Sequence, residues 1–200
     1  MKVSKQQWDE EYASGRWDFL SSADEQTRLA CIAAFIASYT PGEVLDLGCG
    51  PGDLLTWLKP GSVSRYTGVD VSEVALAKVA DQSFPVERVA RSLTEYTPPA
   101  RDIGTIVASE VLYFVDDPAS HIKRIVDACT SVGSVVISLV APNERKPNWE
   151  RASNRVWTQF DDLGWDCHQS VRVENYARGA GWDLRFYLLD AKVGGDADRI

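Results

Sequence analysis

Glycine occupies every second position, at Gly48, Gly50 and Gly52, in the stretch VLDLGCGPGDLL, directly behind an alternating apolar run that carries Asp46. Lacking a Cβ, these residues can form tight turns and let a ligand lie against the main chain where a strand ends. About twenty residues further on, a second apolar run closes as YTGVD on Asp70, whose carboxylate can accept hydrogen bonds from both hydroxyls of a ribose. Bare backbone followed at that distance by an acid describes a nucleoside site. A third acid, Glu110, follows the apolar run IVAS in the stretch SEVLYFV, with Tyr113 three residues on. At the ligand-binding end of a strand, Glu110 can face a reacting group or cap a neighbouring helix. Tyr113 reads as a site residue or as a core aromatic with a satisfied hydroxyl.

Dinucleotides and S-adenosylmethionine both use such a site, and the glycine spacing separates them. The loop reads GxGxG followed by Asp53, not the GxGxxG that opens a pyrophosphate-binding helix. A negative side chain where a pyrophosphate would sit is unfavourable, which disfavours a nicotinamide oxidoreductase. A sulfonium amino acid brings its own ammonium group, which suits Asp46 and the carbonyls of the loop around Cys49.

These residues need a scaffold of strands that end together. Short apolar runs at Glu43 to Leu47, Arg65 to Asp70, Val86 to Arg91, Ile103 to Ser109 and Ser134 to Val140 read as strands. Helical stretches separate them near Asp53 to Lys59, Ser72 to Ala80 and Pro118 to Cys129, the last opened by an acidic cap and a first-turn proline. The repetition argues for a parallel sheet covered on both faces. Ahead of it, SADEQTRLACIAAFIASY has Ser22 and Glu25 at capping-box spacing and a stripe of Leu29, Ile32, Ala33 and Ile36. At the other end, SVRVENYARGAGWDLRFYLL reads as two strands joined by a loop too short for a crossover, hence antiparallel. The expected class is α/β.

The chain has 200 residues, 44% of them hydrophobic, which is enough for one well-packed domain spanning 1–200. A net charge of −8 with no basic run argues against binding nucleic acid. The four cysteines form no CxxC pair, and neither a metal nor a disulfide framework is expected. The start lacks the apolar core of a signal peptide, and no stretch reaches a membrane span, so a cytoplasmic protein with no membrane partner is expected. The tail 191–200 reads as frayed.

On LDLGCGPG, GVDVS and IVASEVLYFVDDP, the sequence resembles the class I S-adenosylmethionine-dependent methyltransferases from about Val44 to Val140. The resemblance implies a Rossmann-like, seven-stranded, mostly parallel sheet with a C-terminal antiparallel hairpin, and S-adenosyl-L-methionine as cofactor. It also implies that Asp46, Gly48 and Gly50 cradle the methionine part, that Asp70 binds the ribose, that Val71 flanks the adenine and that Ser109 lies near the methionine end. After the third strand the family often has Asp followed by an apolar residue at the adenine edge, and here Ser92-Leu93 is the match. SEVLYFV and WDEEYASGRWDFL look most like the branch that includes nodulation-factor N-methyltransferases.

Methyl transfer from a sulfonium relies mainly on alignment, and a general base is not obligatory. Many O-methyltransferases of this fold carry His in the segment that here reads VLYF, and no His stands there. The expected acceptor is therefore a small-molecule amine, possibly an amino sugar, with Glu110 stabilising charge as it moves to nitrogen and Tyr113 orienting the acceptor. The alternatives are O-methylation and a noncatalytic domain that binds the same cofactor. Trp8, Tyr12 and Trp17 precede the long helix, where residues 1–21 can form a lid; Trp17 is counted with the cofactor-binding residues. Trp149, Trp157 and Trp165 read as core first and as an acceptor wall second, His121 as a surface residue, and His168 chiefly as a bystander.

Overall fold

The computed structural model describes residues 3–141 and 147–189. Seven strands form one sheet in the order β3-β2-β1-β4-β5-β7-β6. They are β1 (Gly42–Leu47), β2 (Val63–Asp70), β3 (Val86–Ala90), β4 (Asp102–Ser109), β5 (Ser131–Val140), β6 (Cys167–Asn175) and β7 (Ala180–Leu188). The first five pair in parallel; β7 inserts antiparallel between β5 and β6. Strand order reverses between β1 and β4, and a crevice opens there at the carboxyl ends of the strands, the place where open α/β sheets bind ligands. The fold is Rossmann-like, as expected from the sequence.

Alternation along β1 shows why the sheet is covered on both faces. Val44 packs with Leu29, Ile32 and Ile36 of helix α2 (Ala23–Tyr39), whereas Leu45 and Leu47 pack with Ile122 and Ile125 of α4 (Pro118–Ala128) and Val156 and Phe160 of α5 (Pro147–Asp162). Asp46 shares the parity of Val44. It therefore points toward the α2 face, where fully buried Tyr66 donates to its carboxylate at 2.8 Å.

Several local expectations are corrected. The stretch near Asp53 to Lys59 is only one 3-10 turn, Asp53–Thr56, starting at left-handed Gly52 and followed by Pro60, which disfavours helix in the residue before it. The expected helix Ser72 to Ala80 shrinks to α3 (Glu73–Leu76). Beyond it the Val79 carbonyl accepts from the Arg88 guanidinium, at 2.7 and 3.2 Å, instead of from a further helical N–H. Ser22 stands at the N-cap of α2, but its hydroxyl caps nothing and Glu25 turns to arginines instead. His121 is buried, not on the surface, because α4 lays it beside Arg124 at 3.3 Å; burial lowers its pKa. An additional helix, α1 (Lys5–Ala13), precedes α2. The expected frayed tail lies outside the described residues. Among the described residues no helix is long and apolar enough to cross a membrane.

The start of α4 matches its sequence signal: Asp117 accepts from the Ser120 N–H at 3.3 Å, with Pro118 in the first turn. Asp117→Ala should lower stability by about 1 kcal/mol, read as a lower urea midpoint at unchanged slope. An unchanged midpoint would mean that this cap contributes nothing.

Candidate active site

The loop after β1 takes its shape from glycine at two positions. Gly48 (φ 70°) and Gly50 (φ 54°) are left-handed. The Gly48 and Cys49 N–H groups both donate to the Val69 carbonyl, at 2.7 and 3.1 Å, and the Gly50 N–H donates to Asp70 Oδ2 at 2.9 Å. Asp70 Oδ1 accepts from the Ser72 N–H at 2.8 Å. The acid at the end of β2 thus fixes the glycine loop and the entry to α3 together. Each of its oxygens keeps acceptor capacity for a ligand. Burial raises the Asp70 pKa, against the backbone donors that lower it.

A cavity of about 670 Å³ lies over this loop, within the range of small-molecule sites. Asp46, Gly48, Cys49, Gly50, Asp70 and Val71 line one side of it, and Ser92 and Leu93 line the stretch beyond β3. Ser109, Glu110 and Tyr113 close the end beyond β4, and Trp17 covers it from the N-terminal segment. Gly52 is the exception among the expected residues. It turns away from this cavity, with Val79 only 3.2 Å from where a Cβ would stand. The Cys49 thiol is buried, which raises its pKa and makes it a packing group.

Glu110 holds the most unusual position. It is the one non-glycine residue with positive φ among the described residues, at 60°, a conformation that a Cβ makes costly and that clusters at functional sites. Its N–H donates to the Ser138 carbonyl at 2.9 Å, while its carboxyl accepts from the Tyr113 hydroxyl at 3.0 Å and the Ser138 hydroxyl at 3.1 Å. Burial pushes its pKa up to about 7, against the lowering influence of Arg28. Asp46 is likewise pushed up to about 7 by burial. Tyr113 also accepts from the Val140 N–H, so its hydroxyl is committed to holding Glu110 in place.

A cluster on α2 escaped sequence reasoning. Arg28 is buried, donates to Ser109 Oγ at 2.7 Å, lies 5.8 Å from the Trp182 ring and has an Nε without a hydrogen-bond partner. Glu25 stands between Arg28, at 3.6 Å, and Arg178, at 3.2 Å. All four residues, Glu25, Arg28, Arg178 and Trp182, line the cavity. The available signal was two opposite charges three residues apart on the same stripe as Leu29, Ile32 and Ile36.

The N-terminal segment reaches over the loop. Asp9 of α1 accepts from the Ser72 hydroxyl at 2.7 Å, and the buried Tyr12 hydroxyl would stand 2.9 Å from a Cβ on Gly50. Trp8, Tyr12 and Trp17 all line the cavity. The three later tryptophans divide: Trp149 lines the cavity, Trp157 is buried beneath Arg185, and Trp165 packs on Phe160 and Tyr187. His168 is exposed against Tyr39 and does not line the cavity.

A glycine-lined switch point, an acid ending β2 and a reversed last hairpin make this the class I S-adenosylmethionine-dependent methyltransferase fold, and S-adenosylmethionine is the cofactor of that class. The chain belongs to the methyltransferase domain family, whose model matches residues 10–184. It is 28% identical over 127 residues to a trans-aconitate 2-methyltransferase of Rhodopseudomonas palustris strain BisB5, covering 60% of this chain and 48% of that protein. The chain thus spans about half the length of the curated relatives it matches first. Among solved structures, the N-methyltransferase NodS of Bradyrhizobium japonicum WM9, in complex with S-adenosyl-L-homocysteine, superposes with a TM-score of 0.67 at 19% identity, covering 92% of this chain and 97% of that one. The [4+2]-cyclase SpnF superposes equally well, with a TM-score of 0.67 at 15% identity over 94% of this chain and 97% of that one.

The loop geometry can be tested without a substrate. A Cβ on Gly48 would overlap Val111 in a backbone conformation that disfavours it. Gly48→Ala should therefore cost roughly 1–3 kcal/mol of stability, and adding Val111→Ala should recover only the part due to overlap. Full stability of Gly48→Ala in urea would show that the loop relaxes freely.

Proposed function

We propose that this domain transfers a methyl group from S-adenosylmethionine to the nitrogen of a small-molecule amine, an amino sugar being one candidate. The charge of the cavity carries the reading. Among the described residues, Glu25, Asp46, Asp53, Asp70, Glu110 and Asp116 line it against Arg28 and Arg178 alone, and both arginines already face Glu25. A polyanionic acceptor such as trans-aconitate, named for the curated relatives, would meet many carboxyls and few cations. A basic acceptor would find the opposite.

The residues fit the donor group by group. Asp70 has acceptor capacity for the ribose hydroxyls, Val71 and Leu93 offer apolar contact to the adenine with Ser92 at its edge, and the loop of Gly48, Cys49 and Gly50 leaves room beside the main chain. Asp46 suits the ammonium group, and Arg28, whose Nε lies 3.6 Å from Glu25 but makes no hydrogen bond, suits the carboxylate. The segment from Trp8 to Phe19 serves as a lid that excludes water. The donor supplies an activated methyl: the amine's lone pair forms the N–C bond as the C–S bond breaks with its electrons going to sulfur.

Glu110 provides what the acceptor needs. Most amines are protonated near neutral pH and must give up a proton before they can attack. A carboxyl whose pKa lies at about 7 is partly ionised there and can take that proton; once the proton has passed on to solvent, the carboxylate faces the charge that develops on nitrogen. Tyr113 and Ser138 aim it.

The pH dependence follows. Below pH 7 Glu110 is protonated and cannot act, so kcat/KM should rise through a limb near pH 7 as the carboxylate forms. Glu110→Gln should lower kcat by on the order of 10²-fold and abolish that limb while leaving affinity for S-adenosylhomocysteine nearly unchanged. Full activity in Glu110→Gln, or product methylated only on oxygen, would overturn the amine mechanism.

A further inference from the structure

We propose that the acceptor amine is carried on an aromatic or alkyl body, so that an arylalkylamine is a better substrate than a polyhydroxylated amino sugar. The inference rests on the amine reading above and narrows it.

Six aromatic rings follow one another along the cavity. Trp149 meets Tyr113 edge-on with ring centres 5.0 Å apart, Tyr113 meets Phe114 at 6.3 Å and Phe114 meets Trp8 edge-on at 5.1 Å. Trp8 then tilts against Trp17 at 5.8 Å, and Trp17 against Phe19 at 6.0 Å. All six line the cavity. One member of the row, Tyr113, hydrogen-bonds Glu110. The row ends at Phe19, which is 42% exposed with the Arg178 guanidinium 5.5 Å above its ring. An acceptor whose nitrogen sits at Glu110 therefore extends its body along aromatic surface.

Hydrogen-bonding groups for such a body are scarce. Among the described lining residues the only aliphatic hydroxyls are Ser92, Thr94 and Ser109, and none is Asn, Gln or His. Ser92 and Thr94 already bond one another at 2.9 Å, and Ser109 already accepts from Arg28. Of the lining carboxyls, Asp46 and Asp70 lie on the donor side, Glu25 stands between two arginines, Asp53 accepts from the Ser21 hydroxyl at 2.6 Å and Glu110 is taken by the amine, which leaves the exposed Asp116 for a sugar. A sugar ring placed on this wall would bury hydroxyls without partners, each at a cost, whereas an apolar ring gains contact at no such cost.

Steady-state assays with S-adenosylmethionine and two amines, 2-phenylethylamine and glucosamine, test this. The expected kcat/KM for 2-phenylethylamine is at least tenfold higher. Phe114→Leu and Trp149→Leu should each raise KM for 2-phenylethylamine about tenfold, with kcat and S-adenosylhomocysteine affinity nearly unchanged; retained affinity shows that the variants are folded. Glucosamine turned over as well as or better than 2-phenylethylamine would overturn this inference and leave the amine reading intact, as would unchanged KM in both folded variants. Methylation of neither amine by a protein that binds S-adenosylhomocysteine, with methyl found on oxygen of hydroxyl or carboxyl acceptors, would overturn both.

Discussion

Three carboxyls brought together at the ends of adjacent strands set the terms for the rest of the molecule. Asp46 lies near the end of β1, Asp70 closes β2 and Glu110 follows β4, and these strands neighbour one another in parallel around the point where strand order reverses. Burying acids is unfavourable, and burial raises the pKa of all three. The surrounding structure supplies donors. Tyr66 serves Asp46, the N–H groups of Gly50 and Ser72 serve Asp70, and Tyr113 and Ser138 serve Glu110. Tyr66 and Ser138 are fully buried, so core packing and site geometry are one arrangement.

That arrangement is incomplete without positive charge. A sulfonium and an ammonium within about 4 Å of a carboxylate would each contribute up to roughly 4 kcal/mol at an effective dielectric near 20, before desolvation is subtracted. Arg28 supplies only part of this, lowering the pKa of Asp46 and Glu110 against their burial, because it also pairs with Glu25, as does Arg178. The fold alone does not fix the chemistry, because a cyclase shares it. Glu110 keeps a side chain where φ is 60° and glycine would be easier, and the proposed reaction gives that side chain a use.

The central strands β1, β4 and β5 were legible in the sequence because each is a short apolar run buried on both faces, and the place of the cavity because glycine spacing and an acid mark strand ends. Elements whose ends are decided by distant partners were not legible. Nothing local to Val79 announces that Arg88 will take its carbonyl and end α3. Ser22 and Glu25 have the spacing of a capping box, yet Glu25 is drawn to Arg28 and to Arg178, far along the chain, and the hydroxyl goes without a partner. Gly52 shares the spacing of its neighbours but sits one turn too far and packs on Val79. Arg28 was the larger omission, since a helical stripe counted by its apolar members hides the charged ones. Tyr113 was placed correctly at the cavity, but only the geometry reveals that its hydroxyl is spent on Glu110 and Val140.

The central claim is that buried, partly protonated carboxyls await a cationic ligand. Calorimetric titration at pH 7 in two buffers of different ionisation enthalpy measures it most directly, because Asp46 and Glu110 titrate at about 7 and a bound cation lowers their pKa. S-adenosylmethionine, with its sulfonium charge, should release a substantial fraction of a proton on binding, more than the uncharged thioether S-adenosylhomocysteine releases. Its affinity should accordingly rise between pH 6 and 8. Binding of both ligands with no proton release and no difference between them would contradict the account.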